Sequence, residues 1–270
     1  MGFFSEIAET VKRNHSLLCV GLDPDVTLMP PGVSIFDFNK AIIDATADLV
    51  CCYKPNLAFY EAEGVKGWDI LKQTVEYVPE GIPIIADAKR GDIGNTAKAY
   101  AKAIFDELIF DAVTVNPYLG FDAIEPFLNY KDKGVFVLCR TSNKGAADFQ
   151  GLKLGFEGKE MPLYQAVAKK TSEWNKVGNV GLVVGATYPD ELKTLRMAYP
   201  EMPFLIPGVG AQGGDLKLAV RYGMDNRGGS IIINSSRQIL YASMGKNFAD
   251  AARKAALTLR DEINLYRSAA

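Results

Sequence analysis

Eight short runs of apolar, largely β-branched residues recur along the chain, and their spacing constrains the fold more than any other feature. They are Leu17–Leu22, Val50–Lys54, Ile82–Ala88, Ala112–Val115, Val135–Cys139, Val180–Val184, Phe204–Ile206 and Ser230–Ile233. Stretches with helical spacing lie between or after them: Phe36 to Leu49, Thr96 to Ile109, Leu163 to Trp174, Leu216 to Tyr222 and a closing Phe248 to Leu265. Strand, helix, strand at intervals of roughly 30 residues is the pattern of βαβ units on a parallel sheet. No Pro/Ser-rich linker or shift in composition interrupts it, so one α/β domain over residues 1–270 is expected. The alternatives are an open doubly wound sheet and a closed (β/α)8 TIM barrel, and the count of eight favours the barrel.

The polar residues favour it more strongly. Asp23, Lys54, Asp87, Lys89, Asn116, Arg140 and Asn234 all fall at or just beyond the C-terminal ends of the runs. In a barrel those ends open onto one face, where their side chains can converge on a ligand. Scattered surface charge would not respect that boundary.

Composition narrows the partners. With 48% hydrophobic and 23% charged residues and a formal net charge of −2, there is no overall basic field for nucleic acid or an anionic membrane. No apolar run is long enough for a membrane span, and no signal-peptide pattern opens the chain. The Met-Gly-Phe-Phe-Ser start holds Glu6 where myristoylation needs Ser or Thr. Cys19, Cys51, Cys52 and Cys139 lie within apolar stretches and form no Cys-x-x-Cys pair. Buried free thiols and a reducing cytoplasm are therefore expected. His15 is the sole histidine and precedes the first strand, which leaves a Ser-His-Asp device without its base and a histidine zinc site without ligands. Acid–base chemistry then falls to carboxylates, lysine or tyrosine.

Two segments carry the candidate chemistry. In Asp87-Ala88-Lys89-Arg90-Gly91-Asp92, strand alternation points Asp87 and Lys89 to the same side, the barrel interior or its rim. Charges at an apolar strand end need partners, and Asp92 adds a second carboxylate. A lysine held charged in this way suits a general acid delivering a proton to a carbanion. A structural ion pair closing the strand is the other reading of the same spacing. In Pro207-Gly208-Val209-Gly210-Ala211-Gln212-Gly213-Gly214-Asp215, a Gly-x-Gly-x-x-Gly string follows a strand and precedes a helix. The next strand ends in Asn234 instead of a ribose-binding acid, which weakens a dinucleotide reading. A monophosphate cradle fits better, with backbone N–H groups, the following helix N-terminus, and Ser235, Ser236 and Arg237 of the eighth unit; tight-turn glycines are the alternative. The long connection from Thr141 to about Pro162 holds Gly145, Gly151, Gly155 and Gly158, and reads as a mobile active-site loop or a disordered insertion.

Asp87 through Thr96 resembles the Asp-x-Lys-x-x-Asp-Ile-x-x-Thr signature of the orotidine 5′-monophosphate decarboxylase family. The resemblance runs the length of the chain, through Val20-Gly21-Leu22-Asp23, Tyr53-Lys54-Pro55-Asn56, Arg140-Thr141-Ser142-Asn143, Pro207 to Gln212, and Arg237. It implies conversion of orotidine 5′-monophosphate (OMP) to UMP and CO₂ with no metal and no organic cofactor. It assigns Lys54, Asp87, Lys89 and Asp92 to catalysis. It assigns Asp23, Ile93, Thr96, Ser142, Pro207, Gly208, Gln212, Ser236 and Arg237 to substrate binding. It also implies a homodimer in which Asp92 and Thr96 reach the neighbouring subunit's site. Ser236 departs from the glycine of many members, and the long fifth connection resembles the longer bacterial branch. The rival expectations are a metal-dependent hexulose-phosphate synthase-like lyase on the same barrel, and a non-catalytic phospho-ligand binding protein.

Overall fold

A computed structural model describes residues 2–210 and 213–268. The strands in chain order are β1 (Leu18–Leu22), β2 (Cys52–Pro55), β3 (Ile85–Arg90), β4 (Ala112–Val115), β5 (Gly134–Arg140), β6 (Lys153–Phe156), β7 (Lys159–Pro162), β8 (Val180–Val184), β9 (Phe204–Ile206) and β10 (Ile231–Ser235). Strands β6 and β7 pair only with each other, as an antiparallel hairpin. The other eight form one parallel sheet in the order β2-β1-β10-β9-β8-β5-β4-β3. Its two edges meet through parallel bridges from Tyr53 to Ile84 and from Asn56 to Asp87, and Tyr53 N–H donates to the Pro83 carbonyl at 3.0 Å. The sheet is thereby closed into the expected barrel.

The helices are α1 (Phe3–Asn14), α2 (Ile35–Thr46), α3 (Leu57–Glu61), α4 (Val65–Tyr77), α5 (Gly94–Lys102), α6 (Phe121–Leu128), α7 (Leu163–Trp174), α8 (Pro189–Ala198), α9 (Leu216–Gly223), α10 (Arg237–Leu240) and α11 (Phe248–Ser268). Their starts obey local chemistry. Ser34 accepts the Asp37 N–H at the start of α2, and Pro189, which has no N–H to lose, opens α8.

Side-chain alternation sorts the strands into two faces. Outward residues such as Val20, Tyr53, Val113, Val137, Leu182 and Ile233 join one buried cluster with Phe38 and Ile42 of α2 and Leu71 of α4. Inward residues form a second cluster of Cys19, Cys52, Ile85, Ala112, Phe136, Val183, Leu205 and Ile232. Helix α1 closes the lower, N-terminal end of the barrel by adding Phe3 and Ile7 to that inner cluster. The Phe3 and Phe4 rings meet Phe136 edge-on, at 5.9 and 5.6 Å between centroids. A β-carbon at Gly134 would overlap the Phe3 ring, so glycine is what lets the plug seat. The barrel is apolar below and, as the next strand positions show, polar above.

All four cysteines are buried and free, as expected. No helix among the described residues is long and apolar enough to cross a membrane. Three elements differ from the sequence reading. Strand β3 starts later and runs through Arg90, so Lys89 lies within it. The connection after β5 is not structureless, since it contains a short helical turn at Lys144–Asp148 and the β6–β7 hairpin. Helix α1 precedes the first strand, where no element was expected.

Candidate active site

At the upper mouth, the inward positions above the apolar layer turn polar and line a cleft of about 610 Å³. Lys54, Asp87, Thr114 and Asn234 stand above Cys52, Ile85, Ala112 and Ile232 on β2, β3, β4 and β10. Asp87 sits between two lysines: Lys54 Nζ lies 3.1 Å from its Oδ2, and Lys89 Nζ lies 2.6 Å from its Oδ1. Burial alone would raise the Asp87 carboxyl, but Lys54 and then Lys89 outweigh it and hold the group well below the usual carboxylate range. Burial likewise pulls the Lys54 ammonium down, and Asp87 and Asp23 overcome it, so the group is raised above its ordinary value. The two lysines are not equivalent. The Lys54 side chain is 5% exposed and serves the carboxylate, whereas that of Lys89 is 49% exposed and faces the cleft.

The backbone at Lys89 is unusual. Its φ of +47° is left-handed, which costs a residue with a β-carbon about 1–2 kcal/mol. It occurs where the β3–β4 register shifts, between Ala86 and Arg90. The Lys89 N–H donates to Thr114 Oγ1 at 3.0 Å, and Thr114 Oγ1 donates to Asp87 Oδ1 at 3.0 Å.

Asp23 borders the same cleft beyond β1. Its Oδ1 accepts the Asn56 N–H at 3.1 Å, and its carbonyl accepts the Tyr241 hydroxyl at 2.8 Å. Opposite lie Pro207, Gly208, Ser236 and Arg237, with Ser142 on the β5 side. A β-carbon at Gly21 would overlap the Ser236 hydroxyl, so the serine at 236 depends on the glycine at 21. The glycine stretch folds back on itself: Gly208 and Gly210 have positive φ, and Gly214 N–H donates to the Gly208 carbonyl at 3.1 Å. Gln212 lies outside the described residues. One expectation is corrected here. The N-terminus of α9 does not offer itself to an anion, because Asp215 caps it by accepting the Leu218 N–H at 2.9 Å. Arg237, by contrast, has no ion-pair partner among the described residues and borders the cleft.

Three expected site residues do not line this cleft. Asp92 accepts the Ile93 N–H at 2.8 Å, Ile93 is 59% exposed, and Thr96 sits in the first turn of α5 on the outer surface. Among the described residues, Lys89 pairs with Asp87 and not with Asp92. The second carboxylate expected beside Lys89 is not supplied from within one chain.

Two residues of the expected rim turn away. A second register shift, between Leu138 and Arg140, swings Arg140 outward, where it is buried against Glu191 with its guanidinium 3.8 Å from the Tyr188 ring. Asn116 instead caps the turn at Pro117–Leu119 by accepting the Tyr118 N–H. Conversely, Asn56, Phe59, Thr114 and Leu138 line the cleft and were not singled out as site residues. For Thr114 a signal existed, a lone hydroxyl two positions after inward Ala112. Another hollow, of about 780 Å³, lies at the opposite end of the barrel beside His15 and Gly228, far from the lysine–aspartate row.

Closed parallel strands with a lysine–aspartate–lysine row at their C-terminal mouth define a (β/α)8 barrel with its cleft where barrel enzymes act. Residues 16–254 match the family described as "Orotidine 5'-phosphate decarboxylase / HUMPS family". The chain is 58% identical over 267 residues to an orotidine 5'-phosphate decarboxylase of Dehalococcoides mccartyi, with 99% of each covered. It is similar to the solved Leishmania donovani OMP decarboxylase, with a TM-score of 0.87, 43% identity and 99% of each chain covered. It also resembles the Leishmania donovani UMP synthase (TM-score 0.90, 45% identity), matching 99% of this chain and 57% of that one. The chain belongs to the orotidine 5′-phosphate decarboxylase family.

Proposed function

We propose that this chain is a carboxy-lyase that converts OMP to UMP and CO₂, with Lys89 as proton donor. The observation that carries the reading is the Lys54–Asp87–Lys89 row in the same cleft as Pro207, Gly208 and Arg237. The C6–carboxylate bond breaks, CO₂ departs and the electron pair stays on C6. The Lys89 ammonium stabilises that carbanion, donates a proton to C6, and is reprotonated from solvent. Lys54 keeps Asp87 ionised, and Asp87 aims Lys89. Asp23 and Ser142 are read as contacts to the ribose and the pyrimidine. Pro207, Gly208, Gln212, Ser236 and Arg237 hold the phosphate, whose binding energy orients a ring that reacts elsewhere.

The test is the loss of the substrate's ultraviolet absorbance when enzyme is added to OMP in the presence of EDTA. Absorbance should fall at an undiminished rate; a protein inert with and without chelator is not a decarboxylase, and one silenced by EDTA alone points to the metal-dependent lyase. In the same assay Arg237→Ala should raise KM at least roughly tenfold, as expected for a lost charged phosphate contact. An unchanged KM would remove Arg237 from the phosphate site.

We further propose a homodimer in which Asp92, Ile93 and Thr96 complete the neighbouring subunit's site. Support comes from their absence from their own cleft and from apolar side chains exposed nearby: Ile93, Tyr118 at 85% exposure, Leu119 and Phe121. Mixing two inactive variants, Lys89→Ala and Asp92→Ala, should restore up to about a quarter of normal activity, because half the dimers are mixed and each has one intact site. No recovery after subunit exchange would refute the sharing. The four buried, unpaired thiols support a cytoplasmic setting.

A further inference from the structure

We infer that Thr114 is a positioning residue that aims Lys89, an inference that rests on the decarboxylase reading above. The β3–β4 ladder pairs Ile85 with Ala112 and Ala86 with Val113, then jumps to Arg90 with Val115. Asp87, Ala88 and Lys89 therefore share the single position opposite Thr114. The Lys89 N–H is left without a ladder carbonyl, and the Thr114 hydroxyl takes it at 3.0 Å. A hydroxyl has one proton, and that of Thr114 goes to Asp87 Oδ1 at 3.0 Å. The same oxygen holds Lys89 Nζ at 2.6 Å.

The hydrogen bonds close a ring from the Lys89 backbone through Thr114 and Asp87 to the Lys89 ammonium. Each end of a long, flexible side chain is thus tied to one 1%-exposed hydroxyl, directly or through the carboxylate. The left-handed φ of Lys89 lies within this ring, whose backbone end closes on Thr114 Oγ1 and whose ammonium end closes on Asp87 Oδ1. Without the hydroxyl, the Lys89 N–H loses its acceptor and Asp87 loses a donor, while the phosphate side of the cleft is untouched.

Thr114→Val keeps the shape and removes the hydroxyl; Thr114→Ser keeps the hydroxyl and removes a methyl. We expect Thr114→Val to lower kcat at least roughly tenfold, with KM for OMP and the affinity for UMP within about threefold of normal. Thr114→Ser should stay within about threefold on all three measures. If Thr114→Val does not fold, Thr114→Ala is read by the same criteria. A Thr114→Val kcat within about twofold of normal, a Thr114→Ser variant as slow as Thr114→Val, or a parallel loss of UMP affinity overturns the inference. Unmutated protein is assayed first: if it does not decarboxylate OMP, the parent reading fails, whereas active parent with unimpaired Thr114→Val sinks only the role of Thr114.

Discussion

Lys89→Ala should bind UMP about as tightly as the unmutated protein yet turn over OMP roughly 10⁴-fold more slowly, the combined scale of a lost proton donor and a lost electrostatic stabiliser. That factor corresponds to about 5.5 kcal/mol of barrier. The separation of binding from turnover follows from geometry. Asp87 retains Lys54 at 3.1 Å when Lys89 is truncated, so no buried charge is stranded and the barrel should remain folded. Steady-state kinetics with calorimetric titration of UMP provide the check. Retention of more than about a tenth of the turnover, under ~1.4 kcal/mol of barrier, would exclude Lys89 as the donor.

Asp87→Ala should damage stability as well as turnover, because it strands the other lysine. Lys54 is 4% exposed and its hydrogen bond goes to Asp87. Removing one partner of a buried pair costs about 3–5 kcal/mol. In the unmutated protein the lowered Asp87 value makes its contribution present above its ordinary 3.8 and lost as pH falls through the folded value. The raised Lys54 value makes its contribution present below 10.5 and lost as pH rises through the folded value. In the variant the sign for Lys54 reverses. Burial, the largest influence on it, is then opposed only by the weaker pulls of Asp23 and Cys19, and the folded value is expected to drop below 10.5. Stability of the variant should therefore rise as pH climbs toward 10.5, narrowing its deficit between about pH 6 and about pH 9 in urea titrations. A deficit that is absent, or constant across that window, would contradict the stranded-charge account.

The barrel was legible because its signal is repeated eight times, and the site because charge at the tops of apolar strands is expensive unless it has work or partners. Alternation placed Asp87 and Lys89 on one side, and the 2.6 Å pair bears that out. What alternation cannot foresee is a bulge. Two occur, with opposite results: in β3 a left-handed turn keeps Lys89 inward, and in β5 the slip sends Arg140 out to Glu191. Thr114 escaped notice because a threonine in a β-branched run reads as strand-forming and nothing more. Asp215 misled in the other direction, since the glycine loop before it looked like an anion seat whose helix was already capped. Asp92 was read as a second carboxylate for Lys89, and Ile93 and Thr96 were named from the resemblance alone; no pattern within the chain locates where these side chains act.

The aromatic seal at the lower end has a consequence for traffic. Phe3, Ile7 and Phe136, each at 7% exposure or less, leave the barrel with a floor and no drain. Whatever enters must pass the upper rim, and everything made must leave the same way. For a reaction that turns one molecule into two, the small gas has to slip out past the nucleotide or wait behind it, so both products share the single exit of a one-door room.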